Sequence, residues 1–313
     1  MPQRIQKYLA RASLDNLGLS TGGDSLRFNG FSIIRSPNCV RDITETNEDG
    51  KEITIPHSPD EDEYEPGFPR CQYYLELELT GSDPFGFDEA QAKTMWALNR
   101  MRLFKPGLLW GELYGIFDPN QHPVGVYEVR RIQESGPMPT TFNADYDGIF
   151  QIEENEVDSI VDFVNDLKDV STDQFAVPLR RFHLYFDRDS IQDRAIDLMV
   201  ALESLFSEDR EAIAYKIALR ASCLIETESR ERKAMFGFLK NAYGKRSRIV
   251  HGKAERSWFE SKTYDPKLKN INVLEEVVRK SLLALLRLTQ QGSILKPEDL
   301  DDHLFLDQNA FQL

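Results

Sequence analysis

The chain has 313 residues with 38 Lys and Arg against 52 Asp and Glu, a formal net charge of −14. The length suits about two domains, each burying its own core, and the acidic balance excludes broad adhesion to nucleic acid, confining any phosphate contact to a local patch. Cys39, Cys71 and Cys223 are scattered without CxxC or Cys/His spacing, which argues against a disulfide framework and a zinc site and fits a reducing cytoplasm.

Residues 1–19 set Arg4, Lys7 and Arg11 against Ile5 and Leu9, which predicts an amphipathic first helix. No apolar run of signal-peptide type is present and no later segment approaches membrane-spanning length, so a cytoplasmic protein without membrane contact is expected. Residues 27–34 and 73–79 alternate apolar and polar side chains, and 109–117 and 124–129 read similarly, predicting a modest antiparallel sheet. Between the first two strands, residues 44–69 hold Asp60, Glu61, Asp62 and Glu63 with Pro56, Pro59, Pro66 and Pro69, which predicts a long acidic loop. Residues 88–104 predict one helix on the sheet, started by Asp88 and stopped by Pro106 and Gly107.

From residue 154 the texture becomes helical. Val157, Ile160, Val161 and Val164 stripe one predicted helix, and the capping signal at 171–174 marks a domain boundary. The expected fold is therefore α+β: an antiparallel-sheet domain with a helix over 1–172, then an all-α bundle over 173–313. Its helices are predicted at 175–187, 191–206, 208–227, 230–250 and 273–291, with Trp258, Phe259 and Tyr264 in a longer connection as packing anchors.

Nine Lys and Arg against only Glu231 and Glu255 make residues 230–256 a basic island in this acidic chain. Within it Arg246 and His251 stand with four residues between them, just before a helix-stopping Gly252. A guanidinium clamps a phosphate and an imidazole moves a proton near neutral pH, which is the minimum equipment for cutting RNA without a metal or other cofactor. On an unbroken helix the two side chains would point about 140° apart, so the site belongs at a helix end or in a groove shared with another subunit. The partial negative charge of a helix C-terminus favours an imidazolium, which suits His251 as general acid toward a leaving 5′ oxygen. Attack by the neighbouring 2′ hydroxyl requires RNA rather than DNA. Lys245, Arg248 and Lys253 flank the pair as candidate phosphate contacts. Glu203 and Arg220 lie among apolar neighbours on predicted helices, where an unpaired charge is costly, so each is expected to meet the other or a site residue. His183 reads as a satisfied core or surface histidine, and His57, His122 and His303 lie in predicted loops or the tail.

The phrase Arg246-Ser-Arg-Ile-Val-His-Gly252, following Ala201-Leu-Glu-Ser-Leu-Phe206 and Ala214-Tyr-Lys-Ile-Ala-Leu-Arg-Ala221, resembles the HEPN superfamily and specifically its ApeA-like branch over about residues 175–291. The resemblance implies a helical bundle that pairs with a second copy, so that the Arg and His of both subunits face one cleft for metal-independent RNA cleavage. It implies Arg246 as phosphate clamp, His251 as proton-transfer residue and Ser247 as a group orienting the imidazole or the phosphate. It further implies a toxin-like effector in antiviral defence, with the N-terminal domain sensing a trigger or restraining the nuclease. Some HEPN toxins carry a Tyr two residues after the His, the target of a nucleotidyltransferase antitoxin; here Gly252 and Lys253 follow, and that pairing is not expected. A HEPN module kept for interaction or nucleotide binding, without chemistry, is the alternative. The acidic balance and the lack of a recognition-helix motif argue against a DNA-binding regulator.

Overall fold

The computed structural model describes residues 6–15, 17–20, 25–37, 41–46, 52–57, 68, 72–81, 87–107, 109–118, 120–126, 150–167, 173–207, 211–262, 268–292, 297–302 and 304. Described residues up to Asp166 form one compact unit and those from Leu167 onward a second. The mixed α+β character expected from the sequence is present, with the sheet in the first unit and helices in the second.

The first unit is built on strands β1 (Gln6–Asp15), β2 (Leu17–Leu19), β3 (Ser25–Phe28), β4 (Phe31–Arg35), β5 (Arg41–Thr46), β6 (Glu52–His57), β7 (Tyr73–Gly81), β8 (Trp110–Phe117), β9 (Pro123–Val126) and β10 (Phe150–Ile152). Six of them form an antiparallel sheet in the order β3-β4-β7-β1-β8-β9, while β2 pairs β10 in parallel. Helix α1 (Phe87–Phe104) packs on β7 and β8, and α2 (Val157–Asp166) packs on α1. Tyr8, Ala10, Ala12 and Leu14 of β1 join Tyr73, Leu75, Leu77 and Leu79 of β7 and Ala97, Leu98 and Met101 of α1 in one core. Gly111 lets helix and sheet approach: a Cβ there would stand 2.8 Å from the Ser13 carbonyl oxygen and 3.2 Å from Leu98. Arg100 then reaches from α1 to the Val164 carbonyl at 2.6 Å, near the C-terminus of α2.

Two expectations are corrected here. The first helix predicted at the start is instead β1, the inner strand between β7 and β8. Its apolar residues follow a period of two, and Arg11, on the opposite face, is buried by a 3.1 Å ion pair with the cross-strand Glu76, by Gln121, and by the rings of Phe68 and Phe117 at 4.1 and 4.6 Å. The acidic loop expected over 44–69 instead begins inside β5 and takes in all of β6, the two forming a hairpin in which Ile43 pairs Ile55 and Thr44 pairs Thr54. β-branched residues favour a pleated strand, and they dominate this short span even though the window around it is acidic and proline-rich. Asp60, Glu61, Asp62 and Glu63 lie outside the described residues.

The second unit comprises α3 (Asp173–Asp187), α4 (Ile191–Phe206), α5 (Ile213–Ile225), α6 (Ser229–Val250), α7 (Arg256–Glu260), α8 (Asn270–Gln290) and α9 (Pro297–Asp301). Helix α4 starts on a Ser190 cap and packs against α3, α5, α6, α7 and α8. It buries Ala195, Leu198, Met199, Ala201, Leu202, Leu205 and Phe206. Its one deeply buried acid, Asp197, is held by Arg181 at 2.7 Å and Arg188 at 2.8 Å, so the charge is compensated twice. The helix expected over 208–227 spans only Ile213–Ile225, entered through Ala212 in a left-handed conformation. No helix among the described residues is long and apolar enough to cross a membrane.

Helix α8 carries a buried charge that is poorly compensated. Glu275 and Arg279 are both buried, with Oε1 and Nε 3.5 Å apart, and neither carboxylate oxygen finds a hydrogen-bond donor. Burial pushes the Glu275 carboxyl from 4.5 up to about 7, opposed by the weaker pull of Arg279. The folded chain therefore keeps this proton between about pH 4.5 and 7, where the unfolded chain has lost it, and stability falls as pH rises through that window. The expected loss from this group is on the order of 3 kcal/mol. Denaturant unfolding followed by far-ultraviolet circular dichroism should show this slope in the native chain and a flattened one in Glu275→Gln.

Candidate functional site

The basic island folds as the C-terminal half of α6 and the turn that ends it. His251 closes the helix with φ −90° and ψ 20°, and Gly252 follows in the left-handed region at φ 79°. The Gly252 N–H donates to the Ile249 carbonyl at 2.8 Å and the Lys253 N–H to the Arg248 carbonyl at 2.9 Å, the paired pattern of a Schellman ending. The His251 N–H donates to the Ser247 carbonyl at 3.2 Å. Nothing lies within 4 Å of where a Gly252 Cβ would stand, so conformation rather than space selects glycine here. The helix thus ends where the sequence places the stop, and the imidazole sits exposed at its tip.

The chain leaving this turn folds back along α6. Glu255, 5 % exposed, takes the Lys245 ammonium at 2.9 Å and the Arg248 guanidinium at 2.5 Å. The Lys245 hydrogen bond, with the charges of Arg248, Lys245 and Lys253, holds the Glu255 carboxyl below its usual range. Trp258 stacks on Phe238 of α6 at 5.6 Å and Phe259 is fully buried, so these aromatics serve as packing anchors. Tyr264 lies outside the described residues. Lys245 and Arg248 are thereby engaged by the protein's own acid, whereas Lys253 is exposed.

One turn and a half before the helix end, Arg246 points the other way. Its Nη2 donates to Glu203 Oε2 of α4 at 3.1 Å, with both side chains 22 % exposed, and its Nε is buried without a hydrogen-bond partner. Tyr243, three residues earlier on α6, places its ring 5.9 Å from the Arg246 guanidinium. Burial, followed by the Glu203 charge, pushes the Tyr243 phenol above its ordinary 10.0 despite the opposing influence of Arg246. Glu203 therefore meets a site residue. Tyr243 is absent from the residues singled out by sequence, although the i, i+3 spacing to Arg246 on a predicted helix was the available signal.

Arg220 does not meet Glu203. Its Nε and Nη2 fork the Asp301 carboxylate of α9 at 2.7 and 2.6 Å while Nη1 donates to the Phe206 carbonyl at 2.6 Å. A guanidinium that is only 6 % exposed needs partners for its whole fork, and the chain end supplies them. This corrects its expected supporting role: Arg220 ties α5 to α9 and to the end of α4. Ser247 is half-buried beside Arg246 and contributes its carbonyl to the helix ending. His183 lies 3.4 Å from Asp187 and His122 3.4 Å from Asp118. His57 belongs to β6, correcting its expected place in a loop, and His303 lies outside the described residues. Among the described residues no three His, Cys, Asp or Glu side chains form a group suited to a metal ion.

The arrangement places one guanidinium on a single carboxylate contact and one exposed imidazole near the same end of α6, the first to bind an anion and the second to exchange protons with solvent or a ligand. Comparison of the chain with protein families, with curated proteins and with solved structures finds no match. The helix ending itself is testable. Gly252→Ala should destabilise the protein by about 1 kcal/mol, the cost of a Cβ in the left-handed region, with Gly252→Asn costing less. Chemical denaturation of the three proteins measures the order.

Proposed function

We propose that this chain is a metal-independent endoribonuclease of the HEPN type, working as a homodimer whose two copies of Arg246 and His251 line one cleft. The single observation that carries this reading is the common location: a guanidinium with donors left over after one carboxylate contact, and an exposed imidazole on the terminal residue of the same helix. Arg246 binds the scissile phosphate. The 2′ hydroxyl attacks phosphorus and releases its proton to water; the 2′ oxygen–phosphorus bond forms as the bond to the 5′ oxygen breaks. His251, as imidazolium, delivers a proton to that leaving oxygen, giving a 2′,3′-cyclic phosphate and a 5′ hydroxyl. Ser247 and Glu203 support the pair, and Lys253 contacts a neighbouring phosphate. The first unit senses a trigger or restrains the nuclease in a toxin-like antiviral role.

A non-catalytic HEPN module is the second reading. It is favoured by the engagement of Lys245 and Arg248 by Glu255, which removes two cations from the phosphate-binding face expected of a nuclease.

Incubating the purified full chain with structured RNA in excess chelator separates the two. Cutting should fall by about 100-fold or more in His251→Ala and Arg246→Ala, and the matching DNA should remain intact. A His251→Ala protein that cuts RNA at the native rate removes the catalytic reading, and native protein that cuts no RNA favours the module.

A further inference from the structure

We infer that Glu255 is a built-in competitor of RNA phosphate: its carboxylate neutralises the two cations that lead to His251, and so holds down the affinity of this face for a polyanion. The inference rests on the reading of the α6 end as an RNA site. Lys245, Arg248 and His251 follow one another at three-residue steps, so they run along one side of α6 to the residue that closes it. By helical rotation Arg248 stands about 60° from His251, against about 140° for Arg246, which is turned toward Glu203 on α4. A row of cations ending at a proton-transfer group is where successive phosphates of one strand would lie. Glu255 lies there instead. The left-handed exit at Gly252 folds the chain back and sets Oε2 2.9 Å from the Lys245 ammonium and Oε1 2.5 Å from the Arg248 Nε. Two oxygens of an acid thus meet donors that two oxygens of a phosphate would meet. The contact differs from a purely structural ion pair of this unit. Asp197 receives a hydrogen bond on each oxygen, from Arg181 and Arg188, whereas the Glu255 Oε1 is buried and makes none. The Arg248 side chain remains 55 % exposed, so an incoming anion can reach the guanidinium.

Binding is measured with a fluorescent single-stranded RNA whose 2′ hydroxyls are methylated, which keeps the phosphates and blocks the attack. Anisotropy titrations of the full chain over a series of salt concentrations give affinity and salt slope for the native protein, Glu255→Gln, Arg248→Gln and the double variant. Each phosphate contact on a single strand contributes about 0.7 to the slope of log affinity against log salt. Glu255→Gln should bind roughly tenfold tighter, with a slope steeper by about 1.4 as Lys245 and Arg248 are released. Arg248→Gln should change little in the native background and should remove about half of that steepening in the Glu255→Gln background. Loss of packing around residue 255 weakens binding or leaves it alone; it does not steepen the slope. A folded Glu255→Gln chain that binds no tighter, or an Arg248→Gln chain that flattens the native slope by the full ~0.7, overturns the proposal. Should Glu255→Gln fail to fold by circular dichroism, Glu255→Asp, which draws the carboxylate back by one methylene, is expected to gain affinity in the same direction, and no gain there overturns the proposal as well. Native protein that cuts no unmodified RNA removes the nuclease reading, while the binding comparison still decides the role of Glu255.

Discussion

The ion pair between Glu203 and Arg246 is the constraint on which the candidate site depends. Glu203 stands on α4, a helix packed on several sides by its neighbours, so the carboxylate starts from a fixed backbone. Arg246 stands on α6 close to where that helix runs out. Burial of Met235, Phe238, Leu239 and Ala242 fixes the rotation of α6 about its own axis and turns the guanidinium toward α4. That rotation in turn decides which way the last residues of the helix point. His251, five positions on, is carried away from α4 to the exposed side, and a left-handed glycine then sends the chain back. A half-buried cation with one strong contact costs less desolvation than a fully enclosed one and keeps donors in reserve. The pair is therefore both a brace between helices and a means of keeping a positive charge poised at the edge of the core.

Charge elsewhere in the second unit is compensated more completely. Asp197 is met by two arginines, Arg220 has its whole fork filled, and Glu255 draws in Lys245 and Arg248. The buried charged atoms of this unit that lack a hydrogen bond include the Nε of Arg246, the Nε of Arg279, both oxygens of Glu275 and one oxygen of Glu255. Glu275 differs in kind, since its answer to burial is to hold a proton. Arg246 cannot release one, so its only relief is a partner, and an anion entering from solvent would be such a partner.

Much of the fold was legible because the helices of the second unit repeat apolar residues at helical spacing and break at polar turns. The ending of α6 was legible for a sharper reason, since few residues besides glycine take a left-handed exit and Gly252 lies directly after the helical pattern. The failures share a physical cause. Arg11 looks like a solvent-facing residue of an amphipathic helix, but Glu76 and three aromatic rings, all remote in sequence, make burial of its charge acceptable. Alanines 10 and 12 add little to any hydrophobic pattern, and only the facing strand β7 shows them to be core. The β5–β6 hairpin is masked by the acids and prolines around it. The partner of Arg220 sits 81 positions away on a five-residue helix, a separation at which no local spacing rule operates. In each case the deciding contact is long-range.

The rims of the six-stranded sheet bear on how this protein avoids its neighbours. Among the described residues its outermost strands are β3 and β9, and β9 opens with Pro123, which has no amide hydrogen to offer. An incoming strand that met β9 there would find one donor missing from the ladder. Growth of the sheet from molecule to molecule is thereby hindered where β9 begins.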